Sequence, residues 1–340
     1  MGDAICLMPA LRYLKDISDN LEIDLLTTSR INPSIFQKLK FINNINVMPT
    51  SFLKLGKFII FNLYKLRKYD LIIDCEQYYQ FSELISYLGR HSIGFKTPIK
   101  GSSFSNTLEY DSKKNEKILF LDLVKLANIK PPQLELTYSF DLPELVNDYT
   151  PPKSLSDFSQ KLKSSGLPIV IIYPGSSSNA SFRRWDLEYF RDVIVALRNN
   201  CNFVIAGGPD EMELKPKLFN FGLSESDFIG EWSLEQWLWI FQNVADLFVG
   251  NDGGLLHLAE SQNLPIIGLF GPALYSKWGS LNMNSLGFEV DLPCRPCLRN
   301  YEGHVPQYCE MVNRACLRGI KSKSVADAIL EKLRCLNLKQ

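Results

Sequence analysis

Residues 245–272 read ADLFVGNDGGLLHLAESQNLPIIGLFGP. The first six residues form an apolar run of buried-strand length, LLHLAESQ has the spacing of a helix's opening turns, and LPIIGLFGP is a second apolar run. A strand, a glycine-rich turn, a helix and a further strand make one step of a parallel sheet covered by helices. Gly250, Gly253 and Gly254 allow the turn to bend sharply and a ligand to approach the main chain, while the helix start offers unpaired N–H groups to an anion. Asp252 and His257 place two titratable groups at that corner.

The same rhythm extends in both directions. In the second half, LPIVIIYPG, NFVIAGG, DFIGE, ADLFVGN and LPIIGLFGP read as strands, with helices beginning near Asp186, Glu211, Leu234 and Leu255. In the first half, LEIDLLTTS, INNINVMP, YDLIIDCE and HSIGF read as strands between helical patterns at Pro33–Lys40, Lys54–Lys68 and Phe81–Leu88. Between the halves, LVNDYTPPKSLSD carries Pro151-Pro152 among polar residues and reads as a linker. The expected organisation is two α/β domains, 1–150 and 151–340, the second ending in a cysteine-rich loop at 294–316 and a C-terminal helix. Ligands of such sheets bind beyond the carboxyl ends of the strands.

Composition is that of an ordinary globular chain: 340 residues, 46% hydrophobic, 22% charged, with 37 basic and 37 acidic side chains. The zero formal net charge gives no global argument for nucleic acid as a partner, and any positive field must be local. No leader pattern opens the chain and no run is long and apolar enough to span a bilayer, so a cytoplasmic location is expected.

The strand ends of the second half hold the informative residues. Tyr173-Pro174 leads into Gly175, Ser176 and Ser177, and Arg183 and Arg184 precede a helix whose expected N-cap is Asp186. Hydroxyls and guanidinium groups on one edge suit phosphate oxygens, which arginine grips in a fork. Trp185 reads as core. Glu211, in GGPDE, can accept hydrogen bonds from sugar hydroxyls.

The ordered set GD…PAL, PGSS…RRW, GGPDE and NDGGLLHLAES…PIIGLFGP resembles glycosyltransferase family 9, the bacterial heptosyltransferases, most strongly from about Ile169 to Pro272. The resemblance implies a GT-B fold, with two Rossmann-like domains facing a cleft, and inverting transfer of heptose from ADP-heptose to a lipopolysaccharide or lipooligosaccharide core. It places the family's basic residue before the Trp on Arg183, with Arg184 beside it, its acid on Glu211, and its acid-glycine-histidine cluster on Asp252, Gly253, Gly254 and His257. Gly253 stands where the family usually has Ser or Thr, removing one hydroxyl. The general base implied is Asp3, and the scheme requires no divalent ion. In this family a hydrophobic strand precedes the GD, and here only Met1 does; a truncated reading, or another segment filling the first sheet, is therefore expected, and upstream codons, if present, should encode an Ile-, Leu- and Val-rich strand.

Two further signals stand apart. Cys294-x2-Cys297-x11-Cys309-x6-Cys316 falls in a Pro- and Arg-containing segment without periodicity, which is expected to fold only if an ion pins it, with zinc and iron both open. Residues 54–70, KLGKFIIFNLYKLRKYD, interleave Lys54, Lys57, Lys65, Arg67 and Lys68 with apolar groups. A helix packed on the sheet explains that pattern first; peripheral contact with the inner membrane, where a lipid-linked saccharide acceptor is made, is the second reading. A protein acceptor, another nucleotide sugar, and a non-catalytic nucleotide-sugar-binding protein are the alternatives to core heptosylation.

Overall fold

The computed structural model describes residues 2–337 apart from 18–19, 29–33, 50, 78, 130–138, 177, 220–230 and 312. Contacts divide the chain into two compact units: unit 1 takes Asp3–Phe140 and Arg299–Val305, and unit 2 takes Asp141–Leu298 and Pro306–Gln340. The division falls ten residues before Pro151-Pro152. Leu142 accounts for the shift: it is buried, its N–H donates to the Ser261 carbonyl at 2.6 Å, and its own carbonyl accepts from Gln262 Nε2 at 3.0 Å. Those bonds commit the residues after Phe140 to unit 2.

Unit 2 runs α6 (Lys153–Lys163), β6 (Ile169–Tyr173), α7 (Leu187–Leu197), β7 (Asn202–Ile205), α8 (Lys215–Phe219), α9 (Leu234–Asn243), β8 (Leu247–Asn251), α10 (Gly254–Glu260), β9 (Ile266–Leu269), α11 (Tyr275–Trp278), β10 (Leu286–Phe288), α12 (Ala315–Arg318) and α13 (Ser322–Asn337). Its five strands are parallel in the order β10-β9-β8-β6-β7. Every residue of β6, β8 and β9 is buried, as uninterrupted apolar runs must be when helices cover both faces. Val170, Ile172, Val249, Ile267 and Leu269 pack with Trp185, Phe190 and Ile329 on one such face. Each fully buried side chain of this size contributes about 1.5–3 kcal/mol. The chain passes from β6 to β7 on one side and returns to β8 on the other, so the order reverses beside β6, and the crevice for a ligand opens at the carboxyl ends of β6 and β8. Four of the five expected strands are present; most of DFIGE lies outside the described residues, and β10 is an addition.

Unit 1 contains α1 (Gly2–Ile17), β1 (Ile23–Thr28), α2 (Ser34–Gln37), β2 (Ile42–Met48), α3 (Phe52–Leu66), β3 (Ile72–Asp74), α4 (Gln80–Ser86), β4 (Ser92–Lys96), β5 (Asn106–Glu109) and α5 (Glu116–Lys125). Its strands are also parallel, but they fall into two separate sheets, β1-β2 and β3-β4-β5. No strand precedes α1 among the described residues. The α1 helix buries Ile5, Met8, Leu11 and Leu14 and carries Pro9 within it.

At the carboxyl ends of β3 and β4, unit 1 encloses charge. Lys100 Nζ lies 2.8 Å from Asp74 Oδ2 and donates to the Glu76 carbonyl and Ser82 Oγ, each at 2.6 Å. Glu83 accepts from the amides of Gly101 and Ser103 at 3.0 and 2.6 Å. Burial raises the Glu83 carboxyl, but those amide hydrogen bonds and the Lys100 charge outweigh it and hold the group below its ordinary value.

Candidate active site

The donor-side residues hang from one buried amide. Asn251, the last residue of β8, is fully buried; its Nδ2 donates to the carbonyls of Pro174 (2.9 Å) and Gly175 (3.1 Å), and its Oδ1 accepts from the Trp185 N–H at 2.9 Å. Three chain segments, the end of β6, the end of β8 and the approach to α7, are thereby fixed to one another. Trp185 is core, as expected, packed against Phe190 with its Nε1 donating to the Ile320 carbonyl at 3.1 Å. Asn251 opens the NDGGLLHLAES motif but was not singled out as a site residue, although an amide closing an apolar strand was a readable signal.

Adjacent arginines have opposite fates. Arg184 is buried: its Nε donates to Ser176 Oγ (3.2 Å), one terminal nitrogen to the Ser176 carbonyl (2.9 Å), and the other pairs with Glu213 at 2.6 Å. Ser176 Oγ in turn donates to the Ala180 carbonyl at 2.8 Å. Arg184 and Ser176, both expected to hold phosphate, thus bond to one another, and to Glu213 and Ala180 respectively. Ser177 lies outside the described residues. Arg183 turns the other way, its guanidinium 3.6 Å from Asp252 Oδ2, and its buried Nε has no hydrogen-bond partner among the described residues. An unsatisfied donor at a ligand-binding crevice is the feature an incoming phosphate would complete.

Glu211 is buried against Gly175. A Cβ at Gly175 would stand 2.3 Å from Glu211 Cγ, so only glycine fits there. The carboxylate accepts from Tyr173 Oη at 3.2 Å and from the Gly208 N–H at 2.7 Å. Burial, followed by the charge of Glu211 and the hydrogen bond to it, raises the Tyr173 phenol well above its ordinary 10.0. Tyr173 was not anticipated as a site residue. Its ring also explains Gly253: a Cβ there would meet Tyr173 Cε1 at 3.0 Å and Oη at 3.2 Å. Gly253 has φ 179°, ordinary extended backbone, so the restriction is crowding by Tyr173 and not conformation.

Arg183, Asp252, Gly253, Tyr173, Glu211 and Gly175 thus form one contiguous set. Gly254 opens α10, and His257 sits one turn in, buried, with Nδ1 3.9 Å from Glu260 Oε2. Asp186 does not cap α7 with its side chain; it pairs instead with Arg314 and with Arg318 Nε, the latter at 3.0 Å. Two guanidinium groups outcompete the backbone amides for that carboxylate. Asp3, in unit 1, is exposed in the first turn of α1.

The four cysteines of the loop all belong to unit 2. Burial and then the charges of Cys316, Cys294 and Cys309 raise the Cys297 thiol. Among the described residues, however, no three His, Cys, Asp or Glu side chains form a group that could hold a metal ion. The loop has another clasp. Arg295, its side chain 4% exposed, donates to the carbonyls of Gly271, Val290 (2.6 Å) and Ala273 (2.8 Å), and pairs with Glu289 at 2.9 Å. The amides of Cys297 and Leu298 bind the Pro272 carbonyl at 3.1 and 3.3 Å. The Arg295 guanidinium ties the start of this segment to residues 271–273 and 289–290.

Residues 63–305 match the family model for glycosyltransferase family 9 (heptosyltransferase). A lipooligosaccharide heptosyltransferase 2 of Campylobacter jejuni is 23% identical over 97% of this chain and 95% of its own. A lipopolysaccharide heptosyltransferase 1 of Pseudomonas aeruginosa is 25% identical over 68% of this chain and 62% of its own. Among solved structures, the ADP-heptose lipopolysaccharide heptosyltransferase II of E. coli superposes with a TM-score of 0.67 at 17% identity, covering 99% of this chain and 96% of that one. A family 9 glycosyltransferase of Veillonella parvula gives 0.69 at 17% identity, over 100% and 94%. These likenesses establish the GT-B fold.

Asn251→Leu keeps the branched heavy-atom skeleton and removes all three bonds, leaving two carbonyls and one N–H buried. At about 1–3 kcal/mol for each unsatisfied group, the variant should lose roughly 3 kcal/mol or more in urea unfolding. A loss under about 1 kcal/mol would show that the three segments are held by something else.

Proposed function

The chain belongs to glycosyltransferase family 9, the heptosyltransferases, and we propose that it moves heptose from ADP-heptose, with inversion, onto a lipopolysaccharide or lipooligosaccharide core. The observation that carries the donor side is Arg183, with its unsatisfied Nε, beside Asp252 at the switch point of the unit 2 sheet. The names of the curated relatives support the core acceptor.

In this reading the acceptor hydroxyl attacks the anomeric carbon, its proton passes to Asp3, and the bond from that carbon to the diphosphate breaks on the opposite face. A carboxylate within reach of the acceptor hydroxyl can serve as that base. ADP departs with added negative charge, which Arg183, His257 and the amides following Gly253 meet as preoriented donors. Glu211, already aligned by Tyr173 and Gly208, accepts from donor-sugar hydroxyls. The scheme asks for no divalent ion.

ADP release from ADP-heptose, compared with UDP release from UDP-sugars, in the presence of a core oligosaccharide, tests this reading. Arg183→Ala and His257→Ala should each cost about 10²–10³ in kcat/KM, and Asp3→Asn about 10²–10⁴ in kcat. Turnover untouched by the first two would move the site elsewhere.

The lipid-linked acceptor gives α3 a second task. Its inner face buries Leu55 and Leu66, while Ile60, Phe61 and Tyr64 are 74, 81 and 73% exposed. Lys54, Lys57, Lys65, Arg67 and Lys68 are exposed around them, and residues 52–68 contain no acid. A helix apolar on its outer face and ringed by cations suits an anionic lipid surface, at about 1 kcal/mol for each basic group near it. Among the described residues no helix is long and apolar enough to cross a membrane. The protein should co-sediment with phosphatidylglycerol-containing vesicles and not with phosphatidylcholine alone, and Lys57→Glu/Lys65→Glu/Lys68→Glu should weaken that binding at least about tenfold. Equal sedimentation of parent and triple variant would remove the membrane from this reading.

The thiols of Cys294, Cys297, Cys309 and Cys316 are further proposed to take a structural ion, zinc or iron, soft thiolates being suited to either. One equivalent of metal in the purified parent, lost in Cys297→Ser, is the expected result. Equal and negligible metal in both would end the idea.

A further inference from the structure

In the strand order β8-β6-β7, Tyr173 closes the middle strand. Toward β8 it is paired with Gly250, where a Cβ would stand 2.6 Å from Tyr173 Cβ, and its ring edge lies against Gly253, where a Cβ would meet Cε1 at 3.0 Å and Oη at 3.2 Å. Toward β7 its hydroxyl donates to Glu211 Oε1 at 3.2 Å. Gly175 leaves the space that Glu211 fills. One phenol therefore spans from the turn between β8 and α10 to the turn after β7, and the chain forgoes side chains at 175, 250 and 253 around the phenol and its carboxylate.

Packing alone does not ask for that hydroxyl. Tyr173 and Glu211 are both buried, and apolar side chains would close the strand ends without desolvating a carboxylate. What the pair provides is direction. The phenol spends its one proton on Glu211, so toward a third group its oxygen only accepts. A diphosphate oxygen also only accepts, whereas a sugar hydroxyl donates. A hydroxyl donating to Tyr173 Oη completes a chain that ends on the Glu211 charge, in which each bond polarises the next. Burial, then the Glu211 charge and the hydrogen bond to it, keep the phenol protonated at neutral pH, so the chain runs one way.

We propose that Tyr173 is a binding residue of the donor site, its Oη accepting from a sugar hydroxyl of the nucleotide sugar while Arg183 and the amides after Gly253 face the diphosphate. The inference rests on the reading above, in which a nucleotide sugar sits at the carboxyl ends of β6 and β8. The ribose and the transferred sugar offer Tyr173 the same chemistry, and the ligands of the assay separate them.

The test is calorimetric titration of the full chain with ADP-heptose, ADP, 2′-deoxy-ADP and 3′-deoxy-ADP, for the parent, Tyr173→Phe and Glu211→Gln. Tyr173→Phe keeps the ring and should bind ADP-heptose about tenfold more weakly, the value of one lost hydrogen bond to a ligand. Where the ribose supplies the hydroxyl, the same loss appears with ADP and falls below about threefold with one of the deoxy nucleotides, because the lost partner is then absent from both sides. Where the transferred sugar supplies it, ADP binds variant and parent alike and only ADP-heptose weakens. Glu211→Gln, which keeps the shape of the side chain and removes the charge at the end of the chain, should follow the same pattern. Tyr173→Phe that binds ADP-heptose as tightly as the parent, or loses one common factor for all four nucleotides, overturns the assignment and leaves the transferase reading standing. A parent that binds none of the four overturns both.

Discussion

The Asn251 side chain is the constraint on which the donor site depends. It spends both of its N–H donors on the carbonyls of Pro174 and Gly175 and its oxygen on the amide of Trp185. Each of those atoms belongs to a segment that carries a site residue one or two positions away: Gly175 backs Glu211, Trp185 follows Arg183 by two, and Asp252 follows Asn251 itself. Strand order brings the carboxyl ends of β6 and β8 together, but a sheet fixes its edges only as far as its ladder runs. Beyond the last rung, a buried amide with three satisfied bonds supplies the rigidity that phosphate recognition requires, because side chains held loosely by even an ångström lose much of their preorganised electrostatic effect.

How far the sequence announced this varies with the kind of interaction. The strands β6, β7, β8 and β9 were legible because strands buried on both faces must be unbroken apolar runs, and α9 and α10 because their starts carry a Ser cap and glycines. The α1 helix was not read, since Pro9 and the small residues around it blur the helical period; nor was β10, three residues long and half-exposed. Of the site residues, Arg183, Glu211, Asp252 and Gly253 come together as the motifs implied. The roles of Arg184, Ser176 and Asp186 were not legible, because a partner distant in sequence decides them: Glu213 for Arg184, and Arg314 and Arg318 for Asp186. Adjacent like residues compete for the same crevice, and local pattern does not contain the outcome.

The cysteine loop teaches the same point from the other direction. Spacing alone suggested that an ion must impose order on an aperiodic segment. Arg295 ties down the start of that segment with a planar group that satisfies several carbonyls at once, a task for which guanidinium is better shaped than any neutral side chain. Whatever the thiols bind, the conformation of the loop is anchored beside them and not by them alone.

Tyr173 and Gly253 occupy one another's space across the gap between neighbouring strands. A side chain at 253 would press on a ring that is itself held through its hydroxyl by Glu211, so the ring would have to yield by a few tenths of an ångström and the strain would pass along that bond to the carboxylate.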